Sequence, residues 1–166
     1  SKYSFLDNPS SSEHQILLCA ISVSERQDIN NILEIGTYDG SNSFLISKLF
    51  PRCKIDTIDL PDDDVTFRNI YGRQDYSKFE KLDKTRNRIL KENVNINFIQ
   101  KNSVKLIEEA KKYDLIWIDG AHGYPVVTID IINALRLINK NGIILCDDVW
   151  INKPIKQDKI YNSLAS

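Results

Sequence analysis

The chain has 166 residues, of which 42% are hydrophobic and 27% are charged, a composition that suits one domain with its own core. Its 22 Lys and Arg residues are balanced by 23 Asp and Glu residues, so neither a nucleic-acid-binding surface nor a polybasic membrane-binding surface is expected. The apolar run 16–21 is too short to span a bilayer, and three scattered Cys residues without CxxC spacing argue against disulfides and zinc. We predict a single cytoplasmic domain over residues 1–166, with a small molecule as its partner.

Five short apolar runs alternate along the chain with segments of helical periodicity. The runs, which are typical of strands covered on both faces, span residues 31–35, 54–59, 95–100, 114–119 and 142–147. The helical segments span residues 14–23, 41–50, 78–92, 107–110 and 125–138. This alternation predicts parallel strands joined by right-handed crossovers, and hence an α/β fold with a doubly wound sheet in a three-layer αβα sandwich.

Segment 60–77 does not fit a minimal crossover, because it is long for a connection in a compact domain and shows no clear periodicity. One interpretation is a solvated loop whose three consecutive acids, residues 62–64, face water. The other is a lid over a bound substrate, carrying Arg68, Tyr71 and Arg73.

Small or polar residues follow each predicted strand at its carboxyl end. In chain order they are Gly36, Tyr38, Asp39 and Gly40, then Asp59, then Asn102 and Ser103, then Asp119 and His122, then Asp147 and Asp148. In open α/β sheets ligands bind outside the carboxyl ends of the strands. We therefore expect these residues to converge on one edge of the sheet.

The stretch "EIGTYDGSN", residues 34–42, has the glycines of a nucleotide-binding turn but lacks G-x-G-x-x-G, because Tyr38 replaces the middle glycine. Glu34 and Asp39 add negative charge where a pyrophosphate would need a positive environment. Asp59 lies 23 residues after Gly36, the usual interval for a carboxylate that binds ribose hydroxyls. S-adenosylmethionine, a nucleoside with a positive charge and no phosphate, satisfies both conditions better than a nicotinamide dinucleotide.

The stretches "ILEIGTYDGSNSFLISKLFP", "YDLIWIDGAHGY" and "NGIILCDDVW" together resemble the class I S-adenosylmethionine-dependent methyltransferases. The resemblance covers roughly residues 10–150. Within that class the chain looks closest to metal-dependent small-molecule O-methyltransferases, including the branch that acts on sugar hydroxyls of macrolide-type natural products. The resemblance implies a Rossmann-like sheet with strand order 3-2-1-4-5 and methyl transfer to a hydroxyl of a small molecule.

The resemblance also implies the site residues. The cofactor-binding set is Glu34, Gly36, Tyr38, Gly40, Asn42, Asp59, Asn102, Ser103 and Asp119, with Asn42 standing where the metal-dependent relatives commonly have Ser. The set that would hold Mg²⁺ or a similar divalent cation is Asp119, Asp147 and Asp148. His122 takes the position of the general base, and Asp119 is the second residue assigned to catalysis. His14, on the first helix, is interpreted as a surface or core histidine.

Within the cofactor-binding set, Gly36 with Glu34 behind it would line the methionine end. Asp59 would bind the ribose, while Asn102 and Ser103 would face the adenine. A bound cation would lower the pKa of the acceptor hydroxyl, and a positioned His would remove its proton.

Three alternatives stay open at this stage: a metal-independent methyltransferase acting on nitrogen or another acceptor, a nicotinamide-dependent oxidoreductase, and a binding module without turnover. Methyltransferases of this class continue past the fifth strand into a helix and an antiparallel hairpin, but residues 149–166 carry no strand pattern. We therefore expect the hairpin to be absent. Either the sequence is truncated, or another domain or a second copy of the chain in a homo-oligomer completes the acceptor site.

Overall fold

The computed structural model describes residues 12–24, 28–69 and 73–147, together with Val149. The helices are α1 (Ser12–Val23), α2 (Ser41–Leu49), α3 (Val65–Asn69), α4 (Tyr76–Glu92), a 3₁₀ helix (Ser103–Glu108) and α5 (Val126–Leu137). The strands are β1 (Asn31–Ile35), β2 (Lys54–Asp59), β3 (Ile96–Gln100), β4 (Tyr113–Ile118) and β5 (Ile138–Cys146). Among the described helices, none combines the length and apolar character needed to cross a membrane.

The five strands form one parallel sheet in the order β3-β2-β1-β4-β5. The central strand β1 pairs with β2 on one side and β4 on the other, so Ile35 lies opposite both Ile58 and Ile118. This confirms the predicted α/β class and the strand order 3-2-1-4-5. No antiparallel hairpin is formed by the residues that the structure describes.

Helices cover both faces of the sheet and bury its apolar side chains. Successive residues of a strand point to opposite faces, so Ile32 and Leu33 belong to different core clusters. The first cluster includes Leu18 of α1 and Ile46 of α2, and the second includes Leu137 of α5; all three are fully buried. The three-layer arrangement predicted from the sequence is therefore confirmed.

Two elements begin four residues earlier than the sequence predicts, whereas the ends of the other predicted elements differ by at most two residues. β5 begins at Ile138, directly after α5, instead of at residue 142, and Asn141 within it has a positive φ of 68°. The short helix expected at 107–110 is instead a 3₁₀ helix that begins at Ser103, where the Asn102 side chain caps it. The helix begins at Ser103 because the Asn102 side chain caps it there. Hydrophobic spacing alone does not indicate such a cap.

Most of segment 60–77 is folded onto the domain. Phe67 of α3 is fully buried and packs edge-on against Phe79 of α4, with ring centroids 6.5 Å apart. The Arg68 guanidinium lies 3.7 Å from the centroid of the Phe79 ring. Asp62 forms an ion pair with the buried Arg86 at 2.7 Å, so the expectation that it is solvated is wrong. Of the residues assigned to a lid, Tyr71 lies outside the described residues.

Replacing Phe67 with Ala is expected to lower the free energy of unfolding by about 3–5 kcal/mol, because a fully buried aromatic side chain leaves a cavity when it is truncated. Urea denaturation measures the change, and limited trypsin digestion at Arg68 should be faster in the variant. Val65→Ala, on the same helix but 73% exposed, is the control and should leave both unchanged. Equal stability of the two variants would contradict the docking of α3.

Candidate active site

Backbone hydrogen bonds continue past the carboxyl ends of the strands and hold the loops of this edge together. They run from the N–H of Gly36 to the carbonyl of Ile58 (2.9 Å), from Asp119 to Ile35 (2.8 Å) and from Asp147 to Ile118 (2.9 Å). The loops after β1, β4 and β5 are thereby tied to one another and to β2. The structure thus brings Gly36, Asp59, Asp119 and Asp147 to the same edge, as their positions in the sequence predict.

The loop after β1 touches the loop after β4 at Gly36. Its φ is +103°, and a Cβ atom added there would lie 2.0 Å from the carbonyl oxygen of Asp119. No other residue fits this position without moving one of the two loops. Gly40 also has a positive φ, of 80°, but a Cβ there would be no closer than 3.6 Å to the Ile89 side chain. Of the two glycines in this loop, only Gly36 is required by close approach.

Asp59 closes the same loop from the end of β2. One of its carboxylate oxygens accepts a hydrogen bond from the Tyr38 N–H and the other from the Leu60 N–H, each at 2.8 Å. Burial raises the pKa of Asp59, and these hydrogen bonds together with the charge of Arg73 oppose the shift. Because a carboxylate has about four acceptor positions, two stay available for a ligand hydroxyl group.

Glu34 lies beneath this loop, fully buried in β1. It accepts hydrogen bonds from Asn42 Nδ2 at 2.8 Å, from Thr57 Oγ1 at 2.5 Å and from Ser43 Oγ. Burial raises the pKa of Glu34 to about 7, although the three hydrogen bonds act in the opposite direction. Glu34 and Asn42, both assigned to cofactor binding, therefore contact each other and support the start of α2 from within.

The residues predicted to face the adenine follow β3. Asn102 is exposed, and its side chain accepts a hydrogen bond from the Val104 N–H at 3.0 Å. The Ser103 carbonyl accepts a hydrogen bond from Asn133 Nδ2 of α5 at 3.3 Å. The turn after β3 is thus fixed by its own cap and by α5.

Asp130 of α5 was not singled out from the sequence, and the structure places it fully buried beneath this edge. Burial raises the pKa of its carboxyl group, and the nearby Ser103 side chain opposes that shift. A methyl group added at Gly120 would lie 3.5 Å from Asp130 Oδ2. The sequence signal that could have identified Asp130 is a single carboxylate within the apolar stripe of a helix.

Asp119 and Asp147 form the acidic part of the site. Burial and the negative charge of Asp147 raise the pKa of Asp119 to about 8. His122 Nε2 lies 3.8 Å from Asp119 Oδ1, which is near but longer than a hydrogen bond. Asp148, the third predicted metal ligand, lies outside the described residues. Within the described part of the chain, no three His, Cys, Asp or Glu side chains are grouped so that they could hold a metal ion.

His14 also belongs to this site, although the sequence gave no indication of it. Its Nε2 lies 2.6 Å from Asp147 Oδ1, and its ring packs edge-on against Trp117 with centroids 5.0 Å apart. The interpretation of His14 as a surface or core histidine without a role is therefore incomplete. Its contact with Asp147 joins two residues at opposite ends of the chain.

Gly36→Ala is expected to destabilise the protein by about 2–5 kcal/mol, because it adds a left-handed backbone penalty to a clash with the Asp119 carbonyl. The matched control is Gly40→Ala, which meets only ordinary contacts and should cost about 1–2 kcal/mol for its backbone conformation. Chemical denaturation of both variants measures the difference. Equal losses would show that the two loops are not in contact.

Glu34→Gln is expected to flatten the pH dependence of stability. The pKa of Glu34 is raised from 4.5 to about 7 in the folded state, so the stability present below pH 4.5 is lost as pH rises through 7. This loss amounts to at most about 3 kcal/mol, and Asp119 adds a change of the same sign. Denaturation between pH 5 and pH 8 tests the effect, with Glu92→Gln, at an exposed position, as control. An unchanged slope in Glu34→Gln would contradict it.

Several solved methyltransferase structures share this fold. Their sequence identity to this chain is low, so the likeness shows the fold alone. They include the S-adenosylhomocysteine-bound methyltransferase PaMTH1 from Podospora anserina, at 20% identity and a TM-score of 0.58, covering 88% of this chain and 56% of that chain. A putative caffeoyl-CoA O-methyltransferase from Staphylococcus aureus matches at 22% identity and a TM-score of 0.51, with 80% and 56% covered. The N-methyltransferase NodS from Bradyrhizobium japonicum WM9 matches at 20% identity and a TM-score of 0.57, with 84% and 68% covered.

The chain spans only 37% and 62% of the first two solved structures that it matches, an O-methyltransferase family protein from Burkholderia thailandensis and a precorrin-6y C5,15-methyltransferase from Geobacter metallireducens GS-15. No curated protein matches the sequence. The family profile described as "Methyltransferase domain" matches residues 33–149, which include most of β1, all of β2 to β5 and the loops that follow these strands. The chain therefore belongs to the methyltransferase domain family and has the class I methyltransferase fold.

Proposed function

We propose that this protein transfers the methyl group of S-adenosylmethionine to a hydroxyl group of a small molecule, assisted by a divalent cation such as Mg²⁺. The observation that carries the proposal is the contact between Gly36 and Asp119, which places the loop after β1 beside the acidic part of the site. Family membership supports methyl transfer over the nicotinamide-dependent oxidoreductase considered from the sequence. The S-adenosylhomocysteine bound to the Podospora relative supports the choice of cofactor.

The geometry of the loop after β1 suits a nucleoside that carries a positive charge. Asp59 is held by two backbone N–H groups with acceptor positions to spare, as a ribose ligand requires. Asn102 and Ser103 lie one strand further along the same edge, in the place proposed for the adenine. Buried Glu34 beneath the loop and Asp119 beside it favour a cationic sulfonium or ammonium group over phosphate.

Carboxylate oxygens are the ligands that suit a hard divalent cation. Asp119 and Asp147 offer carboxylate oxygens, and the pKa of Asp119 is raised by burial first and by the negative charge of Asp147 second. Asp119 and Asp147 would hold the ion, with Asp148 as the third proposed ligand. When bound, the cation supplies charge that lowers the pKa of the acceptor hydroxyl and orients it through a neighbouring oxygen.

In the proposed reaction the acceptor oxygen attacks the methyl carbon, a carbon–oxygen bond forms and the carbon–sulfur bond breaks. The electron pair of the broken bond stays on sulfur, and the hydroxyl proton passes to His122. Holding donor and acceptor in line can contribute about 7–11 kcal/mol to such a step. We propose a sugar-type acceptor with neighbouring oxygens, since a chelated cation needs a second oxygen from the substrate.

A second candidate is metal-independent methylation of an amine. It is favoured by the fold shared with the N-methyltransferase NodS and by the lack, among described residues, of three grouped metal ligands. The dependence of turnover on Mg²⁺ separates it from the main proposal. Assays over hydroxylated and amine acceptors, with EDTA and with added Mg²⁺, decide between them.

Asp59→Asn is expected to weaken S-adenosylmethionine binding about 10- to 100-fold, because a hydrogen bond to a charged carboxylate is worth about 1.5–3 kcal/mol. Isothermal titration calorimetry with S-adenosylmethionine and with NAD measures this change. Asp63→Asn, an exposed acid on the following loop, serves as the control and should bind as the wild type does. Failure of the wild-type protein to bind S-adenosylmethionine would refute the proposed function.

A further inference from the structure

Arg73 is a buried cation in the segment that follows β2. It is only 6% exposed, and a charged side chain taken out of water costs free energy unless hydrogen bonds or opposite charge compensate. Its Nη1 group donates a hydrogen bond to the Phe67 carbonyl at 3.2 Å. The centre of the same guanidinium lies 3.9 Å from the centroid of the Phe67 ring. Arg73 is thus held by both the main chain and the ring of Phe67.

The position of Phe67 is itself fixed. Asp64 Oδ1 accepts hydrogen bonds from the Thr66 N–H at 2.8 Å and from the Phe67 N–H at 3.2 Å, which fixes the first turn of α3. The Phe67 ring is fully buried and packs edge-on against Phe79. Arg73 is therefore anchored to a part of segment 60–77 that is packed onto the domain.

From this anchor the guanidinium reaches the loop after β1. It lies 5.1 Å from the centroid of the Tyr38 ring, within the range of a cation–π interaction. Tyr38 has a φ of 49°, a left-handed backbone conformation that a residue with a bulky side chain rarely adopts without support from its surroundings. Its N–H donates a hydrogen bond to Asp59 Oδ2 at 2.8 Å. The contact of Arg73 with the ring and the hydrogen bond from the N–H both support this conformation.

Arg73 also acts on Asp59 through its charge. Burial raises the pKa of the Asp59 carboxyl group, whereas two backbone hydrogen bonds and the charges of Arg73 and Arg86 oppose the rise. Glu34 of β1 lies close enough for its carboxyl group and that of Asp59 to interact. An ionised carboxylate is the form that only accepts hydrogen bonds, as a ligand of two ribose hydroxyl groups must. The charge of Arg73 therefore favours the form of Asp59 that the proposed cofactor needs.

We propose that Arg73 is a positioning residue of the cofactor site, which joins segment 60–77 to the Tyr38 ring and so holds the loop after β1 in the conformation that binds the ribose of S-adenosylmethionine. This inference rests on the cofactor-binding part of the proposed function. In this role Arg73 does not touch the cofactor, because it acts through Tyr38 by contact and through Asp59 by charge. Coupling between two sites is reciprocal, so cofactor binding in turn holds α3 in its docked position.

The test measures S-adenosylmethionine binding by calorimetry on the intact protein, from about pH 8 to about pH 5. Arg73→Met keeps a long apolar stem without charge, whereas Arg73→Lys keeps the charge without the planar guanidinium. At the upper end of this pH range we expect binding about 5- to 30-fold weaker in the Met variant and less than about fivefold weaker in the Lys variant. Arg88→Met, at an exposed position on α4, is the control and should bind as the wild type does.

The pH profile provides a readout that a merely structural role would not change. Without the charge of Arg73 the Asp59 carboxyl group is protonated more readily, so the Met variant should lose affinity at a higher pH than the wild type. The Lys variant should keep the wild-type profile. Equal weakening of both variants with an unshifted profile, or unchanged affinity in Arg73→Met, would overturn the inference.

Thermal melting confirms that each variant is folded. If Arg73→Met does not fold, hydrogen–deuterium exchange of the wild type decides: added S-adenosylmethionine should slow amide exchange in α3 more than at residues 87–92 of α4, and equal slowing would overturn the inference. A wild-type protein that binds S-adenosylmethionine, with no loss in Arg73→Met, contradicts the role of Arg73 and leaves the proposed function standing. A wild-type protein that does not bind S-adenosylmethionine contradicts both.

Discussion

The backbone of Gly36 lies against the carbonyl group of Asp119 with no space between them for a side chain. This contact joins the loops that follow the two central strands, β1 and β4, and the remaining loops of the edge are arranged around it. Asp59 closes the first loop from one side, and Asp147 approaches Asp119 from the other. Cofactor and metal, if both bind as proposed, would therefore share a boundary made of main chain. Movement of either loop would disturb both sites together.

Desolvated negative charge is the second property of this edge. Burial raises the pKa of Glu34, Asp59 and Asp119 alike, so each of these carboxylates lacks part of the stabilisation that water would provide. A cationic cofactor and a divalent ion would each supply what is missing. The protein accepts a cost in stability in order to keep these acids together, which is common where binding groups are preorganised. Ligand binding should consequently stabilise the fold.

The sequence predicted the sheet well because its strands are short, apolar and regularly separated by helices. Alternation indicated parallel strands, and the polar residue at the end of each strand indicated the shared edge. It could not reveal that Asn42 contacts Glu34, since that contact depends on how α2 packs on β1. α3 was missed because five residues carry too little periodicity to be distinguished from a loop. His14 was missed because its partner, Asp147, lies more than a hundred residues away.

The position of α1 bears on where this domain should be considered to begin. The family profile matches from residue 33, within β1, and so leaves out the helix that covers part of the first core cluster. A fragment cut at that boundary would expose Ile46 and Leu115, which share a core cluster with Leu18, and would also remove the His14 ring that packs on Trp117. α1 therefore covers part of the core and also contributes His14 to the candidate site. For this chain, the segment that the family profile matches is shorter than the segment that forms the core and the candidate site.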